Sequence, residues 1–112
     1  MGYTVSPAFY LLSTTYHSTI MPTVADLLTH FNHHFPLSRA EGWDKVGLQI
    51  GDAKASVSKV LLAHEITNAV LDAAVGFNAL VVYHPLIFRP LPDLNFASHT
   101  ARLAARCISL DL

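Results

Sequence analysis

From residue 21 onward, apolar positions fall into alternating helical and extended rhythms. Thr23 can cap a helix whose apolar side is Val24, Leu27, Leu28, Phe31 and Phe35, and Pro36 ends it. The opposite face carries Asp26, His30 and His34. A loop from Pro36 to Asp44 follows, with Glu41, Gly42 and Trp43 in it. Val46 to Ile50 predicts a short strand closed by a Gly51-Asp52 turn, and Lys59 to Ala63 predicts a buried strand. Thr67 is an N-cap for a helix with Val70, Leu71, Ala74 and Val75 as its apolar stripe, and Gly76 supplies the left-handed stop. Ala79 to Tyr83 predicts a second buried strand. Pro85, Pro90 and Pro92 keep the next stretch irregular. Ser98 caps a last helix with Thr100, Leu103, Ala104, Cys107 and Ile108 on one side.

The stretch 59–83 is therefore a strand–helix–strand unit, which makes two parallel strands joined by a right-handed crossover. The expected class is α/β, a mixed sheet built around that parallel unit. Parallel strands end at the same sheet edge, and sites in open α/β sheets form there. The first strand delivers His64 and Glu65 to that edge, and the second delivers Tyr83 and His84. The helix begun at Thr67 opens on the same side and favours an anion. Two imidazoles and a carboxylate converging on one edge are donors for a divalent metal. The competing constellation is Asp26, His30 and His34, because histidines at i and i+4 can share a Zn²⁺. No Glu completes an HExxH pattern there, and the simpler reading is a solvated face. Cys107, on an apolar stripe, reads as core rather than as a nucleophile. Trp43 reads as a packing anchor and Asp44 as a turn cap.

Composition adds constraints to this pattern. The chain has 112 residues, of which 52% are hydrophobic and only 13% charged. That is one domain's worth of sequence with enough apolar content for a core. Typical soluble domains carry about 25% charged residues, so the deficit points to surface that is covered by a partner copy or another protein. The net charge of -1 offers no basic stripe for nucleic acid. The single cysteine excludes an internal disulfide. Seven histidines match the number of Lys and Arg combined, which favours metal or proton chemistry. No apolar run is long enough to span a membrane. Residues 1–20 hold no Lys, Arg, Asp or Glu, so they resemble neither a secretory signal nor a transit peptide. Met21-Pro22-Thr23 reads like a second start. The expected organisation is a disordered or misassigned extension over 1–20 and an α/β domain over 21–112, in a cytoplasmic protein.

Two long segments carry a family resemblance. Glu41-Gly42-Trp43-Asp44-Lys45-Val46-Gly47-Leu48-Gln49-Ile50-Gly51-Asp52 resembles the Trp-Asp signature of the Nif-three-like proteins, also called GTP cyclohydrolase type 2 homologues. Leu80-Val81-Val82-Tyr83-His84-Pro85-Leu86-Ile87-Phe88 resembles that family's His-His-Pro segment. Order and spacing agree over residues 21–110. The resemblance implies an α/β fold, toroidal homohexamers and two divalent metals in each subunit. It assigns His84 as a metal ligand, with Zn, Fe or Mn as the candidate ions. Tyr83 stands where the family has its first histidine, and Glu65 keeps a carboxylate near the first strand. The family's later ligands have no counterpart, and His99-Thr100 is not the later His-Thr segment. The chain thus resembles the N-terminal portion of an incomplete Nif-three-like fold, with marginal stability expected where its sheet edge lies open. Three functions follow: a truncated divalent-metal-binding member, a metal-independent interaction scaffold, or a metal-dependent hydrolase.

Overall fold

In a computed structural model of the chain, the described residues are 3–6, 9–13 and 20–112. The elements are β1 (Tyr3–Ser6), β2 (Phe9–Ser13), α1 (Val24–His34), a 3-10 turn (Leu37–Arg39), β3 (Lys59–Ala63), α2 (Asn68–Ala73), β4 (Ala79–Val82) and α3 (His99–Ser109). The four strands form one mixed sheet in the order β1-β2-β3-β4. The first two pairings are antiparallel, and β3 and β4 run parallel with Val60 opposite Ala79 and Ala63 opposite Val82. The predicted mixed sheet with a parallel strand–helix–strand unit is therefore present. The extension expected over residues 1–20 lies largely outside the described residues. The two segments described there are strands, and β2 pairs along the whole of β3.

Local chemistry sets the helix limits. Thr23 and Asp26 form a reciprocal capping box at the start of α1, with Asp26 N–H donating to the Thr23 hydroxyl and Thr23 N–H donating to Asp26 Oδ2. Carbonyls of the loop before β3 meet other free donors: Val24 N–H reaches the Ala55 carbonyl at 2.9 Å, and Ala25 N–H reaches Ala53 at 2.8 Å. Thr67 and Ser98 cap α2 and α3 through their side-chain oxygens. Gly76, at φ +87°, takes the left-handed conformation beyond α2 that a side chain would resist.

The predicted strand over Val46–Ile50 does not form. Gly47 and Gly51 both hold positive φ, 103° and 117°, which interrupts an extended backbone at each end. The segment is instead tied by a side chain. Gln49 Nε2 donates to the Ile87 carbonyl at 2.8 Å, and Gln49 Oε1 accepts the Ile87 N–H at 2.9 Å. Asp52 then closes a turn by accepting the Lys54 N–H.

The core lies between the parallel strands and the last two helices. One cluster joins Leu61, Val70, Ala74 and Phe77; the other joins Leu71, Leu103 and Cys107. Leu80 and Leu112 pack against both. On α3, Ala101 is buried together with Leu103, Ala104 and Cys107, whereas Ile108, expected on that face, is 54% exposed. Ala101, two turns nearer the helix start, closes the face instead. Asn78 fixes the entry to β3: its Oδ1 accepts the N–H groups of Ser58 and Lys59, and its Nδ2 donates to the Ser56 carbonyl. No helix among the described residues is long and apolar enough to cross a membrane.

Candidate functional site

The parallel ladder continues beyond the named strands, and it carries the candidate residues with it. Tyr83 N–H donates to the Ala63 carbonyl at 3.2 Å, and His84 N–H donates to the His64 carbonyl at 2.8 Å. The register of β3 on β4 leads from Ala63 opposite Val82 to His64 opposite Tyr83, and the bond from His84 N–H brings His84 next to both at the carboxyl edge. Their rings lie 4.4 Å apart between centroids, tilted by 49°. Both residues are exposed. Neither imidazole is engaged in a hydrogen bond among the described residues.

Tyr83 is 81% exposed, which excludes a core role for it. Its ring stacks on His64 at 5.5 Å and 13° and sits 5.1 Å from His84. The three rings form one aromatic cluster at the strand ends. Glu65 is exposed beside His64 and forms no hydrogen bond or ion pair with this cluster among the described residues. No group of three or more His, Cys, Asp or Glu side chains able to hold a metal occurs among the described residues. The structure thus joins His64 to His84 and leaves Glu65 apart. The helix that opens on this edge, α2, has six residues, and Thr67 already accepts its Val70 N–H. Few aligned peptide dipoles stand behind that end, so it adds little attraction for an anion.

The divalent metal that the sequence resemblance implies can be tested against this donor set. Two imidazoles at one sheet edge are suitable ligands, and neither is engaged in a hydrogen bond among the described residues. They are also an incomplete shell, because divalent ions take four or more ligands. His64 and His84 fit as part of a site.

The other candidates separate clearly. On α1, Asp26 is engaged in the capping box, and His30 and His34 lie 4.7 Å apart between ring centroids. Cys107 is buried, and burial pushes its thiol up, against smaller lowering effects from a backbone hydrogen bond and the Arg106 charge. It is core, as its place on the stripe predicts. Trp43 corrects an expectation: it is 65% exposed, lying beside Phe88 with ring centroids 6.4 Å apart. The Glu41–Asp44 turn that holds it, closed by Asp44 N–H to the Glu41 carbonyl, sits at the surface rather than over the core. Asp44 acts in the turn, accepting the Lys45 N–H at 2.8 Å. A shallow groove of about 280 Å³ runs along Asp44, Lys45, Val46, Leu48, Gln49 and Ile87, and it contains no imidazole.

Sequence reasoning missed Gln49. Its amide clamps the backbone of Ile87, three residues after His84, and so ties the Trp-Asp segment to the His-Pro segment. The available signal was a lone amide between two turn glycines.

A mixed α/β sheet with histidines at the edge of its parallel strands defines the class. The Duf34/NIF3 (NGG1p interacting factor 3) model matches residues 22–112, and the chain belongs to that family. It is 45% identical over 74 residues to a Staphylococcus aureus protein named GTP cyclohydrolase 1 type 2 homolog, covering 64% of this chain and 20% of that one. A Streptomyces coelicolor protein of the same name is 33% identical over 94 residues, covering 82% of this chain and 33% of its own. Among solved structures, a Staphylococcus aureus hypothetical protein superposes with a TM-score of 0.79 at 37% identity, covering 85% of this chain and 28% of that one. A Bacillus cereus protein related to NIF3 gives 0.77 at 32% identity, covering 84% and 26%. The chain thus spans between a fifth and a third of the length of these curated relatives.

Proposed function

We propose that this chain is a divalent-metal-binding member of the Duf34/NIF3 family that carries part of a metal site, with His84 as a ligand and His64 as its neighbour. The observation behind this reading is the approach of the two rings to 4.4 Å at an edge where His84 N–H bonds the His64 carbonyl. A bound divalent ion would act as a Lewis acid and lower the pKa of its water. The chain's own residues supply the rest of the local chemistry. His64 and His84 donate ring nitrogens, and Tyr83 offers a phenol that donates to or accepts from a bound oxygen. Gln49 fixes the segment after His84. Two donors bind weakly until others complete the shell, consistent with a chain that spans 20% of its Staphylococcus aureus relative. Zn, Fe and Mn all suit imidazole with oxygen donors. Assembly into a homo-oligomer belongs to the same reading, supported by the low charge content and by exposed Trp43 and Phe88.

The test is metal uptake by the purified chain, measured by elemental analysis after equilibration with Zn²⁺ or Mn²⁺. His84→Ala is expected to abolish uptake at the strand edge, while the fold, read by circular dichroism, persists. Uptake that is identical in wild type, His84→Ala and His64→Ala overturns the reading. The second reading, a metal-independent scaffold, is favoured by the exposed Trp43–Phe88 pair. It predicts self-association that survives EDTA.

A further inference from the structure

Helix α1 carries a second set of imidazoles that the strand-edge reading does not use. His30 and His34 stand one turn apart on an exposed face, at the i and i+4 positions that bring side chains together. Their ring centroids are 4.7 Å apart with the planes at 64°. Neither ring is engaged in a hydrogen bond among the described residues. Helical backbone geometry, not crowding by a neighbouring element, sets this spacing: α1 has no buried residue.

We propose that His30 and His34 form a two-point chelate for a divalent transition metal, with water filling the remaining positions. Imidazole suits Zn²⁺, Ni²⁺ and Cu²⁺, and paired histidines at i and i+4 on one helix face are an established way to present it. Asp26, one turn earlier, is not the third ligand. Its Oδ2 accepts from both the backbone and the hydroxyl of Thr23, and recruiting it would open the capping box. His33 is also excluded. It stands at i+3 from His30, but its ring lies against His34 at 5.1 Å and makes no ring contact with His30 among the described residues; the His30 ring instead meets His34 at 4.7 Å. An ion held by both rings staples one turn of a helix that has little core packing behind it. Binding to the folded form alone raises stability by mass action.

The chelate is independent of the strand-edge proposal and is tested with that edge disabled. The full chain carrying His64→Ala and His84→Ala is titrated with Zn²⁺ alone, and histidine side-chain resonances are followed by NMR. One equivalent should bind, shifting the His30 and His34 signals together and leaving His33 unmoved. His30→Ala should weaken binding by about tenfold or more, because the second donor is then no longer tethered beside the first. His34→Ala should do the same, and His33→Ala should change nothing. Equal binding in the His30→Ala and parent chains, or an equal loss in His33→Ala, overturns the chelate.

Discussion

Helices α1 and α3 each have eleven residues and a hydroxyl side chain at the N-cap, yet α3 buries four residues and α1 buries none. The difference lies in what each helix meets. Helix α3 lies on α2, and its Leu103 and Cys107 close a cluster with Leu71. Arg106 adds a bond from its Nη2 to Asp72 Oδ1 at 2.8 Å and another from Nη1 to Asn68 Oδ1. That pair is solvated enough to contribute only about 0–1 kcal/mol, so burial dominates. Helix α1 keeps Leu27, Leu28 and Phe31 half-buried and Phe35 72% exposed. It is held by its cap and by backbone bonds to residues 53–57. Identical length and a similar apolar count thus give one helix secured by packing and one secured by hydrogen bonds at its start.

Three substitutions would sharpen that contrast. The largest effect belongs to Leu71→Ala, which empties a fully buried position shared by α2 and α3. It should cost about 2–5 kcal/mol in denaturant unfolding; a loss below 1 kcal/mol would show that the α2–α3 layer is not the principal core. Next is Thr23→Ala, which breaks both halves of the capping box and should cost about 1 kcal/mol. Hydrogen exchange should show this loss concentrated in α1, and an equal rise in exchange on α3 would mean that the two halves unfold as one unit. The smallest effect comes from pH. Burial raises the Cys107 thiol above its unfolded value of 9.0, so folding favours the neutral form. The associated stability is complete below the unfolded pKa and is lost as pH rises through the raised folded one. Melting temperature should therefore fall between pH 8 and 10 by more in the parent than in Cys107→Ala; parallel curves would remove the thiol from the core's account.

Periodicity made much of this legible. The caps at Thr23, Thr67 and Ser98, the stop at Gly76 and the parallel pairing of 59–63 with 79–82 all follow from residue type and spacing. The convergence of His64 and His84 followed from topology alone. Val46–Ile50 was misread because its apolar residues alternate like a strand, whereas the two positive-φ glycines control the backbone. Trp43 was misread because aromatic size signals burial, but its turn places it on the surface. Glu65 shares the edge with the histidines by chain position only. A neighbour in sequence at a strand end diverges, and no pattern reports where an exposed side chain then points. Family membership came from the two long motifs and not from these rhythms.

The ladder bond between His84 and the His64 carbonyl has one more consequence. Spacing at this edge is written into main-chain hydrogen bonds, which are indifferent to side-chain identity. Residues 64, 83 and 84 can therefore exchange one donor side chain for another without disturbing the positions from which those groups project. The edge behaves as a fixed socket with interchangeable pins: donor chemistry can drift from one relative to the next while the frame that presents it stays constant.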